Sequence, residues 1–131
     1  MKIKLTKVYV DDQEKALRFY TDVLGFTKKN DFSNSGYRWL TVASPEEPEG
    51  TELQLELSSN PAARAYQQAM SEQNLPAVMF YSSDIKGEHE RIKARGGEFT
   101  MPPTDVTAST IAQLKDPSGN LIQITQLNWQ G

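Results

Sequence analysis

Cysteine is absent from the 131 residues, and histidine occurs once. No disulfide and no thiolate metal site can form. A single histidine also falls short of the two-His, one-carboxylate set that a facial iron site uses. Positive charge is scarce: 14 Lys and Arg stand against 17 Asp and Glu, for a formal net charge of -3. With no basic patch, nucleic acid is not an expected partner. No apolar run approaches the ~20 residues that cross a bilayer. The opening MKIKLTKVYVDD is too short and too broken by lysine for a signal peptide or anchor. The expectation is a soluble, cytoplasmic protein with no membrane partner. The length suits one compact domain that buries a core without staples.

What is present is rhythm. Over Lys2–Val10 the side chains alternate, with Thr6, Val8 and Val10 on one face and Leu5, Lys7 and Tyr9 on the other. Asp12 is a helix N-cap. Ala16, Phe19, Tyr20, Val23 and Leu24 follow at helical spacing, and Gly25 sits where a helix C-terminus takes a left-handed residue. Phe26–Phe32 leads into strands at Tyr37–Val42 and Glu52–Leu57, with a Pro- and Glu-rich loop between them. Asn60-Pro61 opens a mostly polar helix. The pattern then recurs. Ala77–Tyr81 reads as a strand, and Asp84 takes the part of Asp12. A helix closed by Gly96 and Gly97 follows, then strands starting at Glu98–Thr100, at Thr110–Lys115 and at Leu121–Gln126. Asp116-Pro-Ser-Gly-Asn120 has the residues of a tight hairpin turn. These boundaries give a first module at about 1–58, a connecting helix at about 60–73 and a second module at about 75–127.

The segments Val10–Asp12 and Leu17–Phe26, the latter containing FYTDVLGF, resemble the vicinal oxygen chelate superfamily, which includes glyoxalase I, bleomycin-resistance proteins and extradiol dioxygenases. Lys115–Gln123, with DPSGN, resembles it too, as do Phe80–Ile85 and Arg91–Gly96. The resemblance spans nearly the whole chain. It implies an α+β fold of two βαβββ modules forming an incomplete barrel around a cleft, with each helix on the convex side, and often a homodimer. It also implies a divalent metal held by four inward side chains, typically His and Glu.

Carried over residue by residue, those four positions are Leu5, Glu56, Ala77 and Gln123. Leu5 lies seven residues before Asp12, and Ala77 seven before Asp84. Only Glu56 is an anionic donor; Gln123 offers one weak amide oxygen, and a catalytic zinc normally takes three protein ligands. Glu52 shares the face of Glu56 and could join it on Mg²⁺ or Ca²⁺, but its place at the strand start favours solvation. His89 shares a helical stripe with Ile85 and Ile92, on the convex side. No cofactor is expected, and a divalent metal is disfavoured.

Alternation assigns Leu5, Lys7, Tyr9, Tyr37, Trp39, Gln54 and Glu56 to the cleft face of the first module. Ala77, Met79, Tyr81, Ile111, Gln113, Leu121, Gln123 and Thr125 take that face in the second. Lys7, Tyr9, Trp39, Gln54, Glu56, Met79, Tyr81, Gln113 and Gln123 are the candidate ligand contacts, and Glu56 is the candidate base. Aromatic rings there can stack on a flat ligand, and Lys7 can pair an anion. The same side chains can instead fill the cleft, with Lys7 and Glu56 as a buried pair that fixes register. Three readings therefore stand. The first is a metal-free binder of a small aromatic molecule. The second is a metal- or Glu56-dependent lyase, isomerase or dioxygenase. The third is a dimeric interaction module with a filled cleft.

Overall fold

The computed structural model describes residues 1–128. The first module holds β1 (Leu5–Val10), α1 (Gln13–Arg18), β2 (Thr27–Asn34), β3 (Tyr37–Ala43) and β4 (Glu52–Leu57). Helix α2 (Pro61–Glu72) follows. The second module holds β5 (Pro76–Tyr81), α3 (Ile85–Ala94), β6 (Phe99–Val106), β7 (Ser109–Lys115) and β8 (Leu121–Leu127). The chain divides into two compact units between Gln67 and Gln68. Each has an open four-stranded mixed sheet, ordered β1-β4-β3-β2 in one and β5-β8-β7-β6 in the other. In both, the first strand runs parallel to the last, and the remaining pairs are antiparallel. The repeat read from the sequence is thus a repeat of topology, and the α+β class follows from it.

Local chemistry explains the elements. Asp12 Oδ1 accepts from the Lys15 N–H at 3.0 Å, and Asp84 Oδ1 from the Gly87 N–H at 3.1 Å. Each satisfies a donor that a helix start leaves orphaned. Asn60 does the same for α2, accepting from the Ala62 N–H at 2.8 Å. Helix α1 passes into a π-helical turn over Phe19–Val23, a widening that the helical spacing did not reveal. Gly25 then reverses the chain at φ +91°, where a side chain would be strained.

One face of each sheet carries the core. In the first module, Val8, Val10, Leu40, Val42, Leu53 and Leu55 are buried with Ala16, Phe19, Tyr20 and Leu24 of the helical segment. In the second, Ala112, Leu114, Ile122 and Ile124 are buried with Ile85 and Ile92 of α3. Burying a side chain such as Leu55 is worth about 1.5–3 kcal/mol, and truncating it to alanine would cost about 2–5 kcal/mol. His89 lies on this helix side, its ring edge-on to Phe99 with centroids 4.4 Å apart.

Two boundaries differ from the sequence reading by three residues or more. Strand β1 begins at Leu5 rather than Lys2, because its partner β4 begins at Glu52 and leaves Lys2–Lys4 without a ladder. Strand β6 runs through Pro102 and Pro103 to Val106, beyond the short start at Glu98–Thr100. It is an edge strand, and its register shifts between Met101 and Thr104 absorb the missing N–H donors.

Candidate functional site

The candidate residues lie on the sheet face turned away from the helix. In the first module the parallel register sets Leu5 beside Glu52, Lys7 beside Gln54 and Tyr9 beside Glu56. On the antiparallel side Thr41 stands beside Gln54, while Phe32 pairs with Trp39 and Asn34 with Tyr37. The β3–β4 ladder ends at Thr41–Gln54. Beyond it, the Gln13 amide from α1 bridges the opening, donating to Arg38 O at 3.2 Å and Leu55 O at 2.9 Å.

Three side chains close into a polar cluster on this face. The Tyr37 hydroxyl donates to Glu56 Oε2 at 2.8 Å. Gln54 Nε2 donates to the same oxygen at 2.6 Å and to the Tyr37 hydroxyl at 2.9 Å. Gln54 is 1% exposed, so its two amide hydrogens would be costly to leave unmatched. Both donors converge on Oε2, and Oε1 of Glu56 has no protein hydrogen bond among the described residues. The Glu56 carboxylate, by accepting the phenolic hydrogen, raises the pKa of Tyr37 above its ordinary 10.0; burial and the nearby negative charge add to the effect.

The surrounding rings are aromatic. Phe32 and Trp39 stack with centroids 6.5 Å apart and an interplanar angle of 27°. Phe32 is 61% exposed and Tyr37 46%. Exposed rings of this size on a sheet face are ready contact area for a ligand.

Lys7 and Glu56 are not the buried pair that the sequence allowed. Lys7 is exposed and stands level with Gln54, and among the described residues no ion pair joins it to Glu56. Neutral donors hold the carboxylate instead. Glu52 is likewise half-buried rather than simply solvated: its Oε1 accepts from Thr41 Oγ1 at 2.7 Å and from Asn30 Nδ2 at 2.8 Å.

In the second module Met79 stands beside Gln123 and Tyr81 beside Thr125, while Gln113 pairs with Gln123 and Ile111 with Thr125. Gln123 Oε1 accepts from Gln113 Nε2 at 3.0 Å, and Gln123 Nε2 donates to Thr125 Oγ1 at 3.2 Å. Met79 and Tyr81 project from this face, 57% and 72% exposed. Leu121 and Thr125 on the same face are buried.

The four carried-over metal positions do not make a donor set. Leu5 and Ala77 have no ligating atom. Glu56 is the one anionic side chain among the four. The Gln123 amide oxygen already accepts a hydrogen bond. Among the described residues no group of three or more His, Cys, Asp or Glu is placed to hold a metal ion.

Comparison with known proteins agrees with the fold. The chain is 48% identical over 126 residues to the uncharacterised protein YurT of Bacillus subtilis, covering 96% of this chain and 99% of that one. It is 30% identical over 125 residues to a probable lactoylglutathione lyase of Vibrio cholerae, covering 92% and 87%. Among solved structures it is similar to TnmS3, an antibiotic binding protein from Streptomyces sp. CB03234. That likeness has a TM-score of 0.77 and 27% identity, covering 97% of this chain and 96% of that one. The model of the glyoxalase/bleomycin resistance protein/dioxygenase superfamily matches residues 2–124, and the chain belongs to that superfamily.

Proposed function

We propose that this protein binds a small, planar aromatic molecule on the second face of its first module, without a chelated metal. The observation that carries the reading is the Glu56 carboxylate. It occupies a metal-ligand position of the superfamily, yet Tyr37 and Gln54 hold one of its oxygens, and the other has no hydrogen bond among the described residues, beside exposed rings. An N–H or O–H of a ligand can donate to that oxygen while its rings lie against Trp39, Phe32 and Tyr9. Lys7 is placed to meet an anionic substituent. On the second module, Met79, Tyr81, Gln113 and Gln123 are the proposed contact residues of the corresponding face. The likeness to an antibiotic binding protein supports a binding role. The proposal treats both modules and α2 as one domain, acting as a cytoplasmic homodimer.

The test is a thermal-shift screen of hydroxylated and amino-substituted aromatics. A ligand at 100 times its Kd adds about 2.7 kcal/mol of stability, which raises Tm by several degrees. The Trp39→Ala variant should lose that response while remaining folded. A library-wide absence of shifts would sink the binding reading.

The free oxygen of Glu56 also favours a second reading, in which it takes a proton from a substrate as the base of a lyase, isomerase or dioxygenase. The likeness to a probable lactoylglutathione lyase supports this alternative. Full turnover of an identified substrate by Glu56→Gln would remove it.

A further inference from the structure

We propose that Tyr66, on the helix that joins the two modules, is a ligand-contacting residue that extends the first module's binding face for longer planar ligands. This rests on the binding reading above and adds a residue and a ligand class to it.

Tyr9 is the last aromatic on this face before the sheet edge, since β1 is an edge strand and Tyr9 stands beside Glu56. Against Tyr9 stands Tyr66 of α2. Its ring meets Tyr9 edge-on, with centroids 6.5 Å apart and an interplanar angle of 77°. Tyr66 lies three residues after Ala63, the buried residue of α2, and so shares that inward stripe. Ala63 seats the helix, and the Tyr66 ring remains 53% exposed. A ring placed only to cover Tyr9 would be expected to bury more of itself.

The dimensions set the class of ligand. From β2 to β1 the face spans three strand spacings, at least about 14 Å, with the Phe32–Trp39 stack at one end and Tyr9–Tyr66 at the other. The open oxygen of Glu56 lies between them. A fused-ring aromatic carrying a hydroxyl or amine donor can give its hydrogen to Glu56 and run towards either end. A two-ring compound anchored at Trp39 stops short of Tyr66, and a three-ring compound reaches it.

The probes are 2-naphthol and 1,2-dihydroxyanthraquinone, titrated by calorimetry into the full chain. Tyr66→Ala should weaken the three-ring probe about threefold to tenfold, the worth of one edge-to-face aromatic contact, and leave 2-naphthol within about twofold. Tyr66→Phe should bind both like the wild type, because the ring is kept. Trp39→Ala should weaken both probes. If Tyr66→Ala leaves the three-ring probe unchanged, or weakens both probes equally, the Tyr66 proposal falls while the Trp39 result still supports binding. If neither probe binds the wild type, the proposal and the reading beneath it fall together.

Discussion

Tyr37 on β3 donates its phenolic hydrogen to Glu56 on β4 at 2.8 Å, past the point where the ladder between their strands has ended. Gln54 donates to both partners and closes the triangle. Among the described residues, every side-chain donor in the group is used, and one of the two carboxylate oxygens is. The arrangement therefore fixes the carboxylate without a cation and leaves it an acceptor for something else.

The alkaline limb of stability follows from this pair. The Tyr37 pKa is raised, first by its hydrogen bond to Glu56 and then by burial. A group with a raised folded pKa contributes stability that is fully present below its unfolded value and is lost as pH rises through the folded one. The wild type should thus lose stability above pH 10.0 in a way that Tyr37→Phe does not. Urea midpoints across that range measure it. In absorbance titrations, Glu56→Gln should bring the Tyr37 transition down. An unmoved transition would mean that the carboxylate is not the cause.

The acid limb should come from the opposite side of the same sheet. Arg38 faces the helix, where its Nε and Nη2 each lie 2.9 Å from an Asp31 oxygen and its Nη1 lies 2.8 Å from Glu14 Oε1. The Arg38 hydrogen bonds hold the Asp31 carboxyl down at about 2. A lowered folded pKa gives stability that is present above the ordinary 3.8 and lost as pH falls through about 2. Asp31→Asn should flatten that part of the stability curve. The pair is partly solvated, so its contribution is about 0.5–1 kcal/mol. An identical acid limb in the variant would show that the pair adds nothing measurable.

Gln13 of α1 bonds to two strands at once, through Arg38 O and Leu55 O. Gln13→Ala should cost about 1–2 kcal/mol, since two carbonyls at a ladder's end would be left to water or to nothing. Hydrogen exchange should speed up locally at the β3–β4 end near Tyr37. A loss of stability spread evenly over the module would argue against a local bridge.

These relationships were legible in the sequence to different depths. Asp12, Asp84, Asn60 and Gly25 act on their own neighbours, so local chemistry announced them. Alternation likewise assigned Tyr37, Trp39, Gln54 and Glu56 to a face, because the period of a strand is two. It said nothing about which strand lies beside which. Sheet order and register put Lys7 level with Gln54 rather than Glu56, and they brought Tyr37 to the carboxylate. Tyr66 read as part of a solvated connector, because nothing in its own helix reveals contact with Tyr9. The prolines of β6 hid a strand that only an edge position tolerates.

The donor count decides the metal prediction. Converting Leu5 to histidine would leave that residue and Glu56 as the two strong donors of the set, short of the three protein ligands that a catalytic zinc normally takes. Ala77 adds no donor, and Gln123 spends its amide oxygen on Gln113. The protein, dialysed after exposure to Zn²⁺ or Ni²⁺, should retain well under one equivalent by elemental analysis. A strong chelator should leave Tm unchanged, since no folded-state metal binding would be withdrawn. Leu5→His should behave the same way. One equivalent of transition metal surviving dialysis, with a chelator-sensitive Tm, would mean that the ligands come from side chains other than these four.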